Sequence, residues 1–217
     1  MIGFALGGCG EADVDLAAAL ADRQQSVIEL GEGTFEGNFL IDRTVTLRGA
    51  TAGVTKLFAA EGAVLRVESE LADVTLEDLE INASHVAILA NGVKSLTIRN
   101  SVIYSTTGVG AYLGSIATVK LEQVEFVGAT TAESLEGASD ALGSKDFPVV
   151  GLYVDRVTRV DLTHVDVRGY AGMAAIFHAT VGAWSDGVVT ANAGANIVVE
   201  SSELSLARVS VSDSVQG

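Results

Sequence analysis

Cysteine occurs once in this chain, at Cys9, so neither an intrachain disulfide framework nor a cysteine-built zinc site can hold it together. Proline also occurs once, and aromatic residues make up only 6% of the sequence, although hydrophobic residues reach 48% and there are 24 glycines. Small β-branched side chains with many glycines suit short stacked strands and tight turns better than a helical bundle. Basic side chains are scarce as well. Thirteen Lys and Arg stand against 28 Asp and Glu, a formal charge of −15. That balance lacks the positive footprint a nucleic-acid partner requires, and leaves neutral or cationic partners open. Acidity of this order also keeps an exported protein soluble. No apolar run after Cys9 is long enough to span a bilayer.

What is there begins with the surroundings of the cysteine. Met1 to Gly8 is apolar and small, and Leu6-Gly7-Gly8-Cys9 resembles the lipobox of bacterial lipoproteins. The resemblance implies lipidation of Cys9, residues 1–10 as signal remnant and anchor, and a location in the bacterial cell envelope, lipid-anchored or secreted. The departure from that pattern is that only eight residues precede Cys9 and none is basic, whereas a signal peptide carries a charged first region.

The remainder, 11–217, reads as one repeating domain. Val74–Ile81, Leu96–Ile103, Val119–Phe126, Val160–Val167 and Leu204–Val211 carry apolar residues at their first, third, sixth and eighth positions, except for Ser101 at the sixth position of the second copy. Period-two alternation on both sides of a two-residue phase break means two short strands joined by a bend, with the apolar side chains turned the same way. The copies begin 22, 23, 41 and 44 residues apart, which reads as one coil, one coil, one coil plus an insertion, and two coils. A looser copy opens at Val45. A third strand per coil precedes the repeat, at Val86–Ala90, Val109–Leu113, Val150–Val154 and Met173–Phe177. The pattern specifies an all-β, right-handed parallel β-helix of about 22-residue coils whose strands stack at about 4.8 Å. Asp13 is expected to cap a helix over Val14 to Arg23 that shields the first coil, with Val14, Leu16 and Leu20 on its covering face.

Helix, then Ser26 to Ala50 with its Gly31-Glu32-Gly33-Thr34-Phe35 turn and its Val45-Thr46-Leu47-Arg48-Gly49 run, resembles the opening of proteins of the pectin-lyase-like superfamily. Together with the repeats the resemblance covers nearly all of the chain after residue 11. It implies the fold and leaves function open, since that superfamily holds lyases, hydrolases, epimerases, adhesins and non-catalytic binding proteins.

Counting along the coils places outward side chains. Arg48, Glu77, Arg99, Glu122 and Thr163 form one column, a charge ladder on an exposed face. Leu89, Tyr112 and Tyr153 form another, with Ala175 or Ile176 next. Its tyrosines either stack on a sugar or on each other. Asp155 and Arg156 follow the third of these strands. The ligand-binding candidates are therefore Tyr112, Tyr153, Leu89 and Asp155. The insertion, 127–148, brings Glu133, Glu136, Asp140 and Asp146 beside the tyrosine strand. Acid-rich loops take calcium, but these spacings do not match an EF-hand, and no cofactor is assigned. His85, His164 and His178 fall in different columns and do not converge as metal ligands would.

A pectate-lyase-type site would need acidic calcium ligands on neighbouring coils, and the position matching Asp155 one coil earlier is Gly114. A polygalacturonase-type aspartate cluster is missing too, so no catalytic residue is carried over. An ice-binding face would need repeated threonines, but Thr75 and Thr97 are followed in column by Lys120 and Asp161. The residues favour an extracytoplasmic, non-catalytic β-helix that binds glycan or scaffolds a surface assembly. The alternative is a polysaccharide lyase or glycoside hydrolase with its site near 127–148 or in coils beyond residue 217. A polysaccharide partner, a membrane contact through lipid on Cys9, and self-association through an uncapped C-terminal edge complete the expectations.

Overall fold

Like apolar residues one coil apart can share a dry interior only if each coil lies in register on the last, and the chain takes that arrangement. The computed structural model describes residues 14–129 and 149–212. It is a right-handed parallel β-helix of about 7 turns with one short helix at its N-terminal end. Every strand pairing is parallel and joins residues about one coil apart. The strands fall into three ladders. The first half of the eight-residue repeat stacks through Val45, Val74, Leu96, Val119, Val160, Gly182 and Leu204. The second half stacks through Ile81, Ile103, Phe126, Val167, Val189 and Val211. The third ladder joins Phe39–Ile41, Ala63–Val67, Val86–Ala90, Val109–Gly114, Val150–Asp155, Met173–His178 and Ile197–Glu200.

Leu47, Leu76, Ile98, Leu121, Leu162 and Trp184 form one continuous internal file, each 1% exposed or less. The phase break inside the repeat has a backbone cause. Asp78, Asn100, Gln123, His164, Asp186 and Arg208, the fifth residue of each copy, all have positive φ between 49° and 59°. One residue in the left-handed region turns the chain so that apolar side chains on both sides of it still face inward. A second such file follows the third ladder at Gly92, Ser115, Arg156, Ala179 and Ser201.

The cap differs from expectation. The helix runs Leu16–Ala21, shorter than 14–23, and its N-cap is Asp15, not Asp13: the Asp15 side chain accepts a hydrogen bond from the Ala18 N–H at 3.1 Å. Leu16 and Leu20 are buried, whereas Val14 is 36% exposed and lies before the helix. Arg43 holds the other end, its guanidinium donating to the carbonyls of Leu20 at 3.1 Å, Ala19 at 3.2 Å and Gln25. The charge column stands as counted. Arg48, Glu77, Arg99, Glu122 and Thr163 are in register, and Glu77 lies between Arg48 and Arg99, 2.7 Å from the latter.

Candidate functional site

The third ladder positions the site, because its outward residues are set by strand alternation and its ends by the left-handed residue that follows each strand. Leu89, Tyr112, Tyr153 and Ile176 are aligned in register, which decides for Ile176 over Ala175. All except Ile176, which is buried, are half-buried. The tyrosine rings meet edge to face, centroids 5.4 Å apart at 87°, the geometry that brings the positive edge of one ring to the negative face of the other. The two rings are thus in edge-to-face contact with each other, which does not decide between a surface ladder and a sugar platform.

Two residues further along each strand runs a second outward file: Asn91, Gly114, Asp155, His178 and Glu200. Asp155 is its hub. Its side chain is only 11% exposed, and the carboxylate accepts from three sides. The Tyr112 hydroxyl donates to Oδ2 at 3.2 Å, the Arg156 guanidinium sits 2.9 Å from the same oxygen, and His178 Nδ1 lies 2.8 Å from Oδ1. Gly114 makes the first of these contacts possible. A Cβ there would lie 2.7 Å from Tyr112 Cε1 and 2.9 Å from Asn91 Oδ1, so the phenol crosses the space a side chain would fill. The missing second carboxylate at Gly114 is thus the condition for the Tyr112–Asp155 bond. Burial, and then the negative charge of Asp155, push the Tyr112 phenol above its ordinary range; for Tyr153 the causes are burial, Asp155 and then Glu200.

The candidates Tyr112, Tyr153 and Asp155 therefore come together, with Leu89 one coil before Tyr112. His178 and Glu200 join them and were not anticipated. The signal was present in the sequence: 23 and then 22 residues separate Asp155, His178 and Glu200, the coil spacing itself. His85 and His164 stay apart from this group; His85 Nδ1 pairs with the Thr107 hydroxyl at 3.0 Å. Residues 130–148 of the insertion, with Glu133, Glu136, Asp140 and Asp146, and Cys9, lie outside the described residues. Among the described residues no group of three or more His, Cys, Asp or Glu side chains could hold a metal ion, and no helix is long and apolar enough to cross a membrane.

No protein-family model and no curated protein matches the sequence. Solved structures do match the fold. A pectin methylesterase in complex with a hexasaccharide superposes with a TM-score of 0.54 at 10% identity, over 85% of this chain and 61% of that one. The A-module of a mannuronan C-5 epimerase from Azotobacter vinelandii gives 0.46 at 10% identity, over 89% and 71%. The chain spans about three-fifths of the length of the methylesterase. The likeness to the methylesterase is one of fold, the parallel β-helix.

Proposed function

We propose that this protein binds a neutral glycan along the outer face of the third ladder, as an extracytoplasmic β-helix of a bacterial envelope. The observation that carries the reading is the Tyr112–Tyr153 pair, whose phenols are set on successive coils beside the Asp155 carboxylate. Aromatic rings offer the apolar faces of a sugar a packing surface, and phenol oxygens held in place offer its hydroxyl groups acceptors. Because each coil repeats the last at about 4.8 Å, a linear polymer lying along the axis meets equivalent positions in turn, with Leu89 at one end of the pair. A net charge of −15 and the Asp155 and Glu200 carboxylates favour an uncharged polymer over free uronates. The pectin methylesterase of like fold is in complex with a hexasaccharide, which supports an oligosaccharide as the class of ligand.

Calorimetric titration against a panel of neutral and uronate oligosaccharides tests the reading. Binding of a neutral member is expected, with Tyr112→Ala and Tyr153→Ala each weakening it about tenfold, the equivalent of about 1.4 kcal/mol. Binding indifferent to both substitutions would leave the protein a surface scaffold. Attachment through lipid on Cys9 is part of the same proposal: Cys9→Ser is expected to move the protein from the membrane to the soluble fraction of the producing cell.

A further inference from the structure

We propose that His178 is the general base of an esterase that removes O-acyl groups from the bound neutral glycan, a proposal that rests on the glycan-binding reading above. Asp155 takes one imidazole nitrogen, Nδ1, at 2.8 Å. A carboxylate in that place holds the hydrogen on Nδ1 and leaves the lone pair on Nε2, which has no hydrogen bond among the described residues. The His178 side chain is 41% exposed, so that lone pair is within reach of water and substrate. This is the orienting arrangement that hydrolases of unrelated fold use to make a histidine a base.

The neighbouring file shows that the fold does not require polar groups on this face, since Leu89, Ile176 and Val198 occupy it in register. Burying Asp155 among Tyr112, Arg156 and His178 needs another reason. The set of groups narrows the chemistry. Cleavage of a glycosidic bond by paired carboxylates needs two that face the substrate; here Asp155 is engaged on both oxygens, and Glu200 is the one left in the file. Acyl transfer to water needs one base and one cation. Arg156 is 62% exposed and spends one guanidinium nitrogen on Asp155, leaving further N–H donors for a developing oxyanion.

The step runs as follows. Nε2 of His178 takes a proton from a water molecule as its oxygen attacks the ester carbonyl carbon. The tetrahedral oxyanion rests against Arg156. As the bond from carbon to the sugar oxygen breaks, the imidazolium returns the proton to that oxygen. The products are a carboxylic acid and a free sugar hydroxyl, and the imidazole is again neutral. His178 is then a catalytic residue and Asp155 a positioning residue.

Acetate release from acetylated xylo-oligosaccharides, with 4-nitrophenyl acetate as a probe that needs no glycan contact, tests this. The protein is expected to release acetate from both, and His178→Ala to lower both rates at least 100-fold in a variant whose circular dichroism shows it still folded, although loss of the Asp155 partner lowers its melting temperature. Added imidazole is expected to restore part of the 4-nitrophenyl acetate rate. Asp155→Asn is expected to lower kcat much more than it raises KM, a split that loss of packing alone would not give. Oligosaccharide binding without acetate release, or release that His178→Ala leaves unchanged, overturns the esterase and leaves the binding reading standing. Hydrolysis of 4-nitrophenyl acetate dependent on His178, without oligosaccharide binding, overturns the binding reading and the glycan substrate but keeps the base.

Discussion

A single missing side chain decides the geometry around Asp155. Because Gly114 has none, the Tyr112 phenol reaches across it, and a methyl group there would press on the ring at 2.7 Å. Gly114→Ala is therefore expected to break the Tyr112–Asp155 bond and weaken glycan binding as Tyr112→Ala does, at a stability cost of about 1–3 kcal/mol in a denaturant titration. The phenols themselves report on the site. In an absorbance titration Tyr112 and Tyr153 are expected to ionise above a free tyrosine, near 10. Asp155→Asn should bring Tyr112 only part of the way back, since burial is the larger cause. The sign for stability follows: a pKa raised in the folded state contributes in full below the unfolded value and is lost as pH climbs through the folded one, so this contribution disappears in alkali. At this scale the sequence told only part of the story. Counting put Tyr112 over Tyr153 correctly, because strand alternation is rigid. It did not show that the two rings touch, or that Asp155 turns toward His178, because the period sets the face a side chain leaves from and not the rotamer it takes.

Elements here are held less by their own propensity than by what they dock on. Six residues are too few for a helix to stand alone, and Leu16–Ala21 persists because Leu16 and Leu20 are buried and both ends are capped. Asp15→Ala is expected to cost about 1 kcal/mol. Arg43→Ala is expected to release the carbonyls of Ala19 and Leu20 and to speed amide exchange in the helix, with strands two or more coils away unaffected. Two aspartates flank the start, and sequence spacing alone could not choose between them. The structure starts the helix after Asp15, whose side chain accepts from the Ala18 N–H, and leaves Val14 exposed before it. The strands were legible wherever apolar positions repeated, although three of the third ladder run one residue further than counted, to Gly114, Asp155 and His178. One copy was hidden: in Gly182–Val189 glycine stands at two of the four expected apolar positions, or beside them, and Trp184 fills the space. Gly187 has to be small there, for a Cβ on it would lie 2.3 Å from the indole nitrogen.

At the scale of the whole molecule, like stacks on like, and that rule made the architecture readable from one sequence. The internal file from Leu47 to Trp184 is continuous, so a cavity at any point removes contacts from the coils above and below. Ile98→Ala is expected to cost about 2–5 kcal/mol, read as a fall in the unfolding midpoint. The same register builds the proposed site. It places Tyr112 and Tyr153 one above the other, and Asp155, His178 and Glu200 beside them, on strands whose inner sides are locked in the core. The overall negative charge adds a condition that no local geometry reveals, favouring an uncharged polymer at this face. A nuclear magnetic resonance titration of the labelled protein with the best-bound neutral oligosaccharide puts this to the test. The account predicts that shifts concentrate on Leu89, Tyr112, Tyr153, Asp155 and His178; shifts confined to the other two ladders, or none at saturating sugar, would contradict it.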